Sequence, residues 1–556
     1  MSLERDFLNT IRQGLKRKSI VTCSKWSETY RKMGNPFPGK WSFEHHPWLL
    51  EMHDAESSTV VGQKAAQMGY TEWAMNTSFF CLDVLGLDVL YILPTSDDAS
   101  DFSAGRFDPA LEQSEHLRNL FSDVNNVGMK RAGSNTLYVR GSHSRSKLKS
   151  IPTPVVIFDE TDEMPRASIN LAKERQSGQK IHKTLYLSTP SIEDFGINVE
   201  YKLSTEEHFF FKCPLCSRHT ELTFPESLVI TGESLTDPNL KNSYLQCKEC
   251  KTKLDHETKS EWLKHKLRGG TAEFVAAHPG RDARGFHIGQ LYSMVLAGNP
   301  YNLALAYLRG IFDPTAAQEF HNSKLGICFE AKGARVTEEQ INNVIRSYRK
   351  GPTGETQLRT LGIDVGSVLH MVVKEWTPEA ITYPGMSPNE NYRPRVVFEG
   401  TSSGSVNDFD EAFQCFMDYG CTAGVCDAEP ERREALKFAQ RLYGRVFLCD
   451  YLFSQSGREI TYNETELTCK VNRTAWLDLA LGRYKSGKIS LPADVSEEFR
   501  RHIREPVRIY RQDKWGNPYG VYENVKADHF AHADTYAEIA LPFALGSGAN
   551  QTIVKM

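Results

Sequence analysis

Three short apolar runs between residues 59 and 191 each end abruptly in residues that bear chemistry. TVVGQ (59–63) leads into KAAQMGYTEW (64–73), VVIF (155–158) ends in Asp159-Glu160, and TLYL (184–187) ends in Ser188-Thr189-Pro190. With VLGLDVLYIL (84–93) they alternate with amphipathic stretches. Such alternation predicts an α/β domain, with buried parallel strands joined by crossover helices.

The segment 64–73 has the elements of a phosphate-binding loop in an unusual arrangement. Such loops present backbone N–H groups at a helix start, a lysine for charge and a hydroxyl for magnesium. Gly69 and Thr71 occupy the positions of the last glycine and the hydroxyl. Tyr70 stands where lysine is usual, and Lys64 stands where the first glycine is usual. Asp159 suits magnesium, bound directly or through water, and Glu160 suits the polarisation of an attacking water. Ser188 and Thr189, at the end of a neighbouring strand, suit sensing of the γ-phosphate and coupling to motion. Taken singly, each is also a plain strand-to-loop boundary. Residues 129–149 carry Lys130, Arg131, Arg140, Arg145, Lys147 and Lys149 with no acid. They read either as a phosphate-contacting surface or as a solvated basic face.

CPLC (213–216) and CKEC (247–250) form two CxxC pairs separated by 30 residues. Four thiolates on two tight turns suit a structural, tetrahedral zinc with a closed ligand set. The start of the chain has charges throughout and no apolar signal core, and no stretch reaches the ~20 apolar residues of a membrane span. The twelve cysteines therefore point to a reducing compartment. The net charge of −4 rules out arguing for a nucleic-acid partner from bulk charge.

A second set of acids follows the Pro- and Gly-containing stretch 346–360. Asp364 lies in LGIDVGS (361–367), Asp427 closes AGVCD (423–427), and Asp534 lies in the helical stretch HFAHADTYAEIA (529–540). Three carboxylates from distant segments can hold two divalent ions ~3.5–4 Å apart for phosphodiester cleavage. Asp528, His529, His532 and Asp450 are secondary candidates, and Glu429 and Glu431 compete with Asp427.

The runs KAAQMGYTE, IFDETDE and STPS, in that order, resemble the ATPase half of the large subunit of viral DNA-packaging terminases, best the lambda-type or GpA-like branch. Gln67, Gly69, Thr71 and Glu72 match that pattern, and Tyr70 departs from its commoner lysine. The branch tolerates a displaced lysine, which assigns the phosphate charge to Lys64. YILPTSDDASDF (91–102), RFDP (106–109), LAKERQ (171–176) and GFHIGQLYS (285–293) extend the resemblance. LGIDVGS resembles the first strand of an RNase H-like nuclease.

The fold implied is α/β: a P-loop (ASCE-type) ATPase with a zinc-ribbon-like insert, then an RNase H-like nuclease. The expected divisions are a lead-in at 1–40 available to a small subunit, a motor at 41–345 with the insert at about 206–265, a linker at 346–360 and a nuclease at 361–556. The resemblance implies ATP, magnesium or manganese, and structural zinc as cofactors. It also implies double-stranded DNA, a small terminase subunit and a portal as partners, a ring when assembled, and the host cytoplasm as location. Two rivals share parts of this pattern: a helicase or translocase with a nuclease tail, and a zinc-ribbon DNA-binding protein with decayed catalytic sites.

Overall fold

The computed structural model describes residues 22–122, 124–149, 151–352, 358–379, 387–404, 409–452, 457–512, 517–546 and 553–555. Much of the expected lead-in (1–21) and part of the linker stretch (353–357) lie outside them. The chain divides into two compact units, Met1–Phe329 and Glu330–Met556.

The first unit is built on one large sheet. Its central strands are β1 (Thr59–Lys64), β2 (Val89–Leu93), β3 (Asn135–Gly141), β4 (Val155–Asp159), β5 (Lys183–Ser188), β6 (Glu207–Lys212) and β7 (Arg284–Ile288). They run in the order β6-β7-β1-β5-β4-β2-β3, each parallel to its neighbour. Strands β2 and β4 are buried along their whole length, as parallel strands covered on both faces must be. A strand therefore stands between the loop-bearing β1 and the acid-bearing β4, which is the ASCE arrangement. Because neighbours run parallel, the chemistry-bearing ends of β1, β4 and β5 share one edge of the sheet.

Helix α1 (Tyr70–Phe80) follows β1 directly. Its N-cap, Gly69, takes φ 82°, where a Cβ would also approach the Leu49 side chain to 2.8 Å. The cysteine-bearing segment leaves the sheet after β6 and forms a small three-stranded sheet of Leu228–Val229, Tyr244–Gln246 and Lys253–Leu254. The chain then returns to the main sheet as β7, which pairs with β1 from Arg284↔Val60 to Ile288↔Lys64. The insert thus interrupts the large sheet, and GFHIGQLYS supplies the strand beside the loop.

The second unit holds a mixed sheet of β8 (Leu358–Val365), β9 (Leu369–Pro378), β10 (Tyr392–Thr401), β11 (Ala423–Asp427), β12 (Val446–Leu452) and β13 (Thr468–Asn472). The order is β10-β9-β8-β11-β12-β13. The β10-β9-β8 pairings are antiparallel and the β8-β11-β12-β13 pairings parallel, an RNase H-like arrangement. Helices α2 (Arg473–Ser486), α3 (Glu497–Arg504) and α4 (His529–Leu545) complete it. Helix α4 lies so close to β8 that a Cβ on Gly362 would come within 2.0 Å of the Ala533 carbonyl.

Residues 330–352 pack within this second unit. Val336, Ile341 and Val344 are buried in one core with Leu477 and Leu481. Tyr348 Oη donates to the Val396 and Ser490 carbonyls at 2.9 and 2.8 Å. Val507–Gln512 and Pro518–Glu523 pair as an antiparallel hairpin.

Candidate functional site

Lys64, the last residue of β1, is buried. Its Nζ lies 3.0 Å from Glu160 Oε1 and 3.5 Å from Thr189 Oγ1. Burial works against the ammonium, yet Glu160 and Asp159 together hold the Lys64 pKa above the usual lysine value. Tyr70 has no place in this cluster. Its ring is 1% exposed and lies over the backbone of Gly62, where a Cβ would meet it at 2.6 Å. Its hydroxyl reaches the Phe286 carbonyl of β7 at 3.5 Å. Tyr70 is thus a core residue between α1 and the sheet, and the cation of the site comes from the other end of the loop. Gln67 takes φ 60° and Met68 presents its carbonyl to Trp48 Nε1 at 2.9 Å, so the loop is shaped from both sides. Thr71 opens α1 and is half-buried.

Asp159 is buried at the end of β4. One carboxylate oxygen accepts from Tyr91 Oη at 2.6 Å, and the other has no hydrogen-bond partner among the described residues. Burial, aided by Glu160, pushes its pKa up to about 6. An unsatisfied buried oxygen beside an anion-binding loop fits a magnesium ion or its bound water. Glu160 takes the left-handed conformation at φ 61°, which costs roughly 1–2 kcal/mol in a residue with a Cβ. Ser188 Oγ reaches Glu160 Oε2 at 3.4 Å. The predicted loop, acid and coupling residues therefore meet.

Sequence reasoning missed Asp162, although the third acid of DETD was its signal. Asp162 is buried and accepts from Ser191 N–H (2.8 Å), Ser191 O–H (2.6 Å) and Ile197 N–H (2.7 Å). Gly196, at φ 52°, admits it, since a Cβ there would lie 2.2 Å from Asp162 Oδ1. Asp162 thus ties the loop after Ser188-Thr189 to the acidic strand end. Burial pushes its pKa up to about 6 against those hydrogen bonds.

The basic stretch does not act as one surface. Lys130 is buried, with Nζ 2.6 Å from Asp108 and 2.7 Å from Asn125. Arg140 is half-buried on backbone carbonyls, including that of Val139 at 2.9 Å. Arg131, Lys147 and Lys149 are exposed.

The ligand atoms of Cys213, Cys216, Cys247 and Cys250 all lie within 4.8 Å of one another, and Cys213 Sγ is 3.9 Å from Cys250 Sγ. Tetrahedral zinc with Zn–S of ~2.3 Å sets its sulfurs ~3.8 Å apart, so the residues fit that ion. The two turns are alike. Ser217 N–H bonds the Cys213 carbonyl and Lys251 N–H the Cys247 carbonyl, each at 2.9 Å, with φ 57° and 60° at Ser217 and Lys251.

In the second unit Asp364 is the penultimate residue of β8 and Asp427 ends the adjacent, parallel β11. Burial, then the Asp364 carboxylate, pushes the Asp427 pKa up to about 7. His529 Nδ1 lies 2.8 Å from Asp364 Oδ2, and this bond raises the His529 pKa. Asp528 pairs with His532 at 3.3 Å, and His532 also bonds Tyr451 at 3.3 Å.

Asp534 does not join Asp364 and Asp427. It is wholly buried, 3.0 Å from Lys374 Nζ, and accepts from Tyr484 Oη at 3.1 Å. Glu538, one turn on, pairs with Lys374 (2.9 Å) and Arg483 (2.7 Å). The helical phase of α4 gives Asp534 to this internal charge cluster and leaves the helix start, at Asp528 and His529, near Asp364. Asp450 is bound to Arg432 at 2.9 Å, and Glu429 is exposed.

The first unit has the strand order of a P-loop ATPase and the second that of an RNase H-like fold. Residues 35–270 match the family model of the phage terminase large subunit gpA, ATPase domain. The matched segment, under half of the chain, is similar to the ATPase domain of the gpA-type phage terminase large subunits. The HK97 bacteriophage large terminase is similar in fold, at 9% identity and TM-score 0.50, over 94% of this chain and 98% of that one. The ATPase domain of the Thermus phage P74-26 large terminase is 17% identical with TM-score 0.30, over 51% of this chain and 96% of its own. The large terminase of the thermophilic bacteriophage D6E is 12% identical with TM-score 0.30, over 89% and 98%. No curated protein matches the chain. No helix among the described residues is long and apolar enough to cross a membrane.

Proposed function

We propose that the chain hydrolyses ATP to drive double-stranded DNA into a procapsid and cuts that DNA with a metal-dependent nuclease. The observation that carries the motor half is the meeting of Lys64, Glu160 and Thr189, beside Asp159, at the ends of β1, β4 and β5. The N–H groups of Gly69, Tyr70 and Thr71 would cradle phosphate oxygens, Lys64 would add charge, and Gln67 would shape the loop around them. Asp159 and the Thr71 hydroxyl would hold magnesium, which supplies charge neutralisation at the transferring phosphoryl group. Phosphates entering the loop would draw Lys64 off Glu160. That frees Glu160 to orient the attacking water, and Ser188 and Thr189 would pass the loss of the γ-phosphate to the loop tied by Asp162.

In the second unit Asp364 and Asp427 would hold magnesium or manganese, which generates and stabilises the oxygens exchanged at phosphorus. The third contribution falls to the start of α4, at Asp528 and His529, and not to Asp534. The cysteine quartet would hold structural zinc. A small terminase subunit and the portal would be partners, with several copies in a ring on the portal in the host cytoplasm. Glu160→Gln tests the motor reading. ATP turnover should fall by about 10²–10⁴-fold with nucleotide binding retained. Unchanged turnover would remove Glu160 from the mechanism.

A further inference from the structure

A histidine cluster beside Asp364 is not used by the two-carboxylate centre. His370, near the start of β9, and His502, in α3, are 4% and 1% exposed. Their rings stand 5.7 Å apart, and His370 stacks on His529 at 4.5 Å. His370 Nδ1 and His502 Nε2 are buried and have no hydrogen-bond partner among the described residues. Two imidazole nitrogens left unsatisfied in one place call for a ligand, since buried polar atoms are otherwise almost always paired.

Glu498 completes the group. It lies one helical turn before His502 on α3, and one ligand atom each from His370, Glu498 and His502 falls within 4.8 Å of the others. Its carboxylate is held loosely, 3.9 Å from His502 Nε2 and 3.9 Å from Arg501. That spacing is too long for a hydrogen bond. It is near the ~3.4 Å that separates two ligands at ~2.1 Å on a tetrahedral ion.

We propose that His370, Glu498 and His502 form a site for a divalent transition-metal ion, zinc above all, next to the Asp364 centre. Two imidazoles and one carboxylate select zinc, cobalt or nickel over magnesium, which prefers an all-oxygen shell. Binding at His502 Nε2 moves its proton to Nδ1, which breaks only the long 3.4 Å bond from the Phe530 N–H. The ion ties β9 and α3 together behind His529. It thereby fixes, through the stacked His370 ring, the side chain that bonds Asp364. His529 becomes a positioning residue whose orientation depends on that ion.

Cobalt(II) titration of the full chain, stripped of metal and held in excess magnesium, tests the site. Cobalt in the cysteine quartet gives intense sulfur charge-transfer bands, whereas cobalt on nitrogen and oxygen gives weak visible bands alone. The expected result is a second equivalent with weak bands only. His502→Gln should abolish it. Glu498→Ala, at an exposed position that does not endanger folding, should weaken it by about tenfold or more. Asp427→Asn should retain it, which separates it from the carboxylate centre. Binding of a single equivalent, or a second equivalent untouched by both His502→Gln and Glu498→Ala, would overturn the proposal. So would loss of the weak bands in Asp427→Asn, which would assign them to the carboxylate centre.

Discussion

The two acidic centres of this chain solve opposite electrostatic problems. At the end of β4, Asp159 and Glu160 stand beside Lys64, so the site carries its own counter-charge. At the ends of β8 and β11, Asp364 and Asp427 face each other with histidines for company, and Asp427 is pushed up to about 7. The first arrangement is built to receive an anion, which must compete with Glu160 for the lysine. The second is frustrated until cations arrive. On the proposed function, the built-in lysine suits a site that exchanges its ligand in each cycle, and the repelling carboxylates suit one that takes up metal.

The largest test of this contrast is Asp364→Ala. Metal-dependent DNA cleavage should fall by about 10³-fold or more, with ATP turnover within about twofold of the wild type. Loss of both activities would make the two centres one cooperative unit. Next in size is Asp534→Ala, which removes one of the two carboxylates paired with buried Lys374 and leaves it with Glu538. Unfolding by denaturant should show a loss of about 3–5 kcal/mol. The milder Asp534→Asn, if folded, should still cleave DNA. A folded, inactive Asp534→Asn would return Asp534 to the metal centre.

Position 70 sharpens the motor side. Tyr70→Phe should keep ATP turnover within about threefold, because the hydroxyl makes only a long bond to Phe286. Tyr70→Lys restores the commoner loop residue, yet it should destabilise the fold by about 3 kcal/mol by burying an unpaired ammonium under Gly62. Higher turnover in a stable Tyr70→Lys protein would disprove the transfer of the loop charge to Lys64.

The smallest expected effect is in pH. The Asp427 carboxyl has its pKa raised in the folded chain, so the fold keeps a proton that the unfolded chain releases. Its contribution to stability is therefore lost as pH rises from about 4 to about 7. Asp427→Asn should raise the melting temperature of the metal-free protein more at about pH 7.5 than at about pH 5.5. An equal shift at both would remove the like-charge repulsion.

Much of this was legible in the sequence where chemistry and strand endings coincide. The runs ending in Lys64, Asp159-Glu160 and Ser188-Thr189 gave both the strands and their shared edge, because buried parallel strands have few alternatives. The cysteine spacing gave the ribbon for a similar reason, since the CxxC turns recur with the same backbone bonds. Asp534 was misread because a helix shows every acid to a one-dimensional reading, while only three-dimensional phase reveals that Lys374 claims this one. Asp162 escaped because its role is to bind backbone N–H groups of a loop some thirty residues away. His370 and His502 carry no local pattern at all. Their pairing depends on β9 and α3 meeting in space.

One consequence follows from the place of β7. The strand beside the phosphate loop is made by residues 284–288, after the whole cysteine ribbon and beyond the end of the matched ATPase segment at residue 270. During synthesis β1 therefore has one open edge until nearly 290 residues have emerged, and an open strand edge invites pairing with other chains. A cysteine ribbon that closed early, on a zinc ion as proposed, would bring β7 back to that edge by a short, fixed path. Such an ion would then act chiefly as a folding guide, shortening the time for which the phosphate loop stands at an unguarded border.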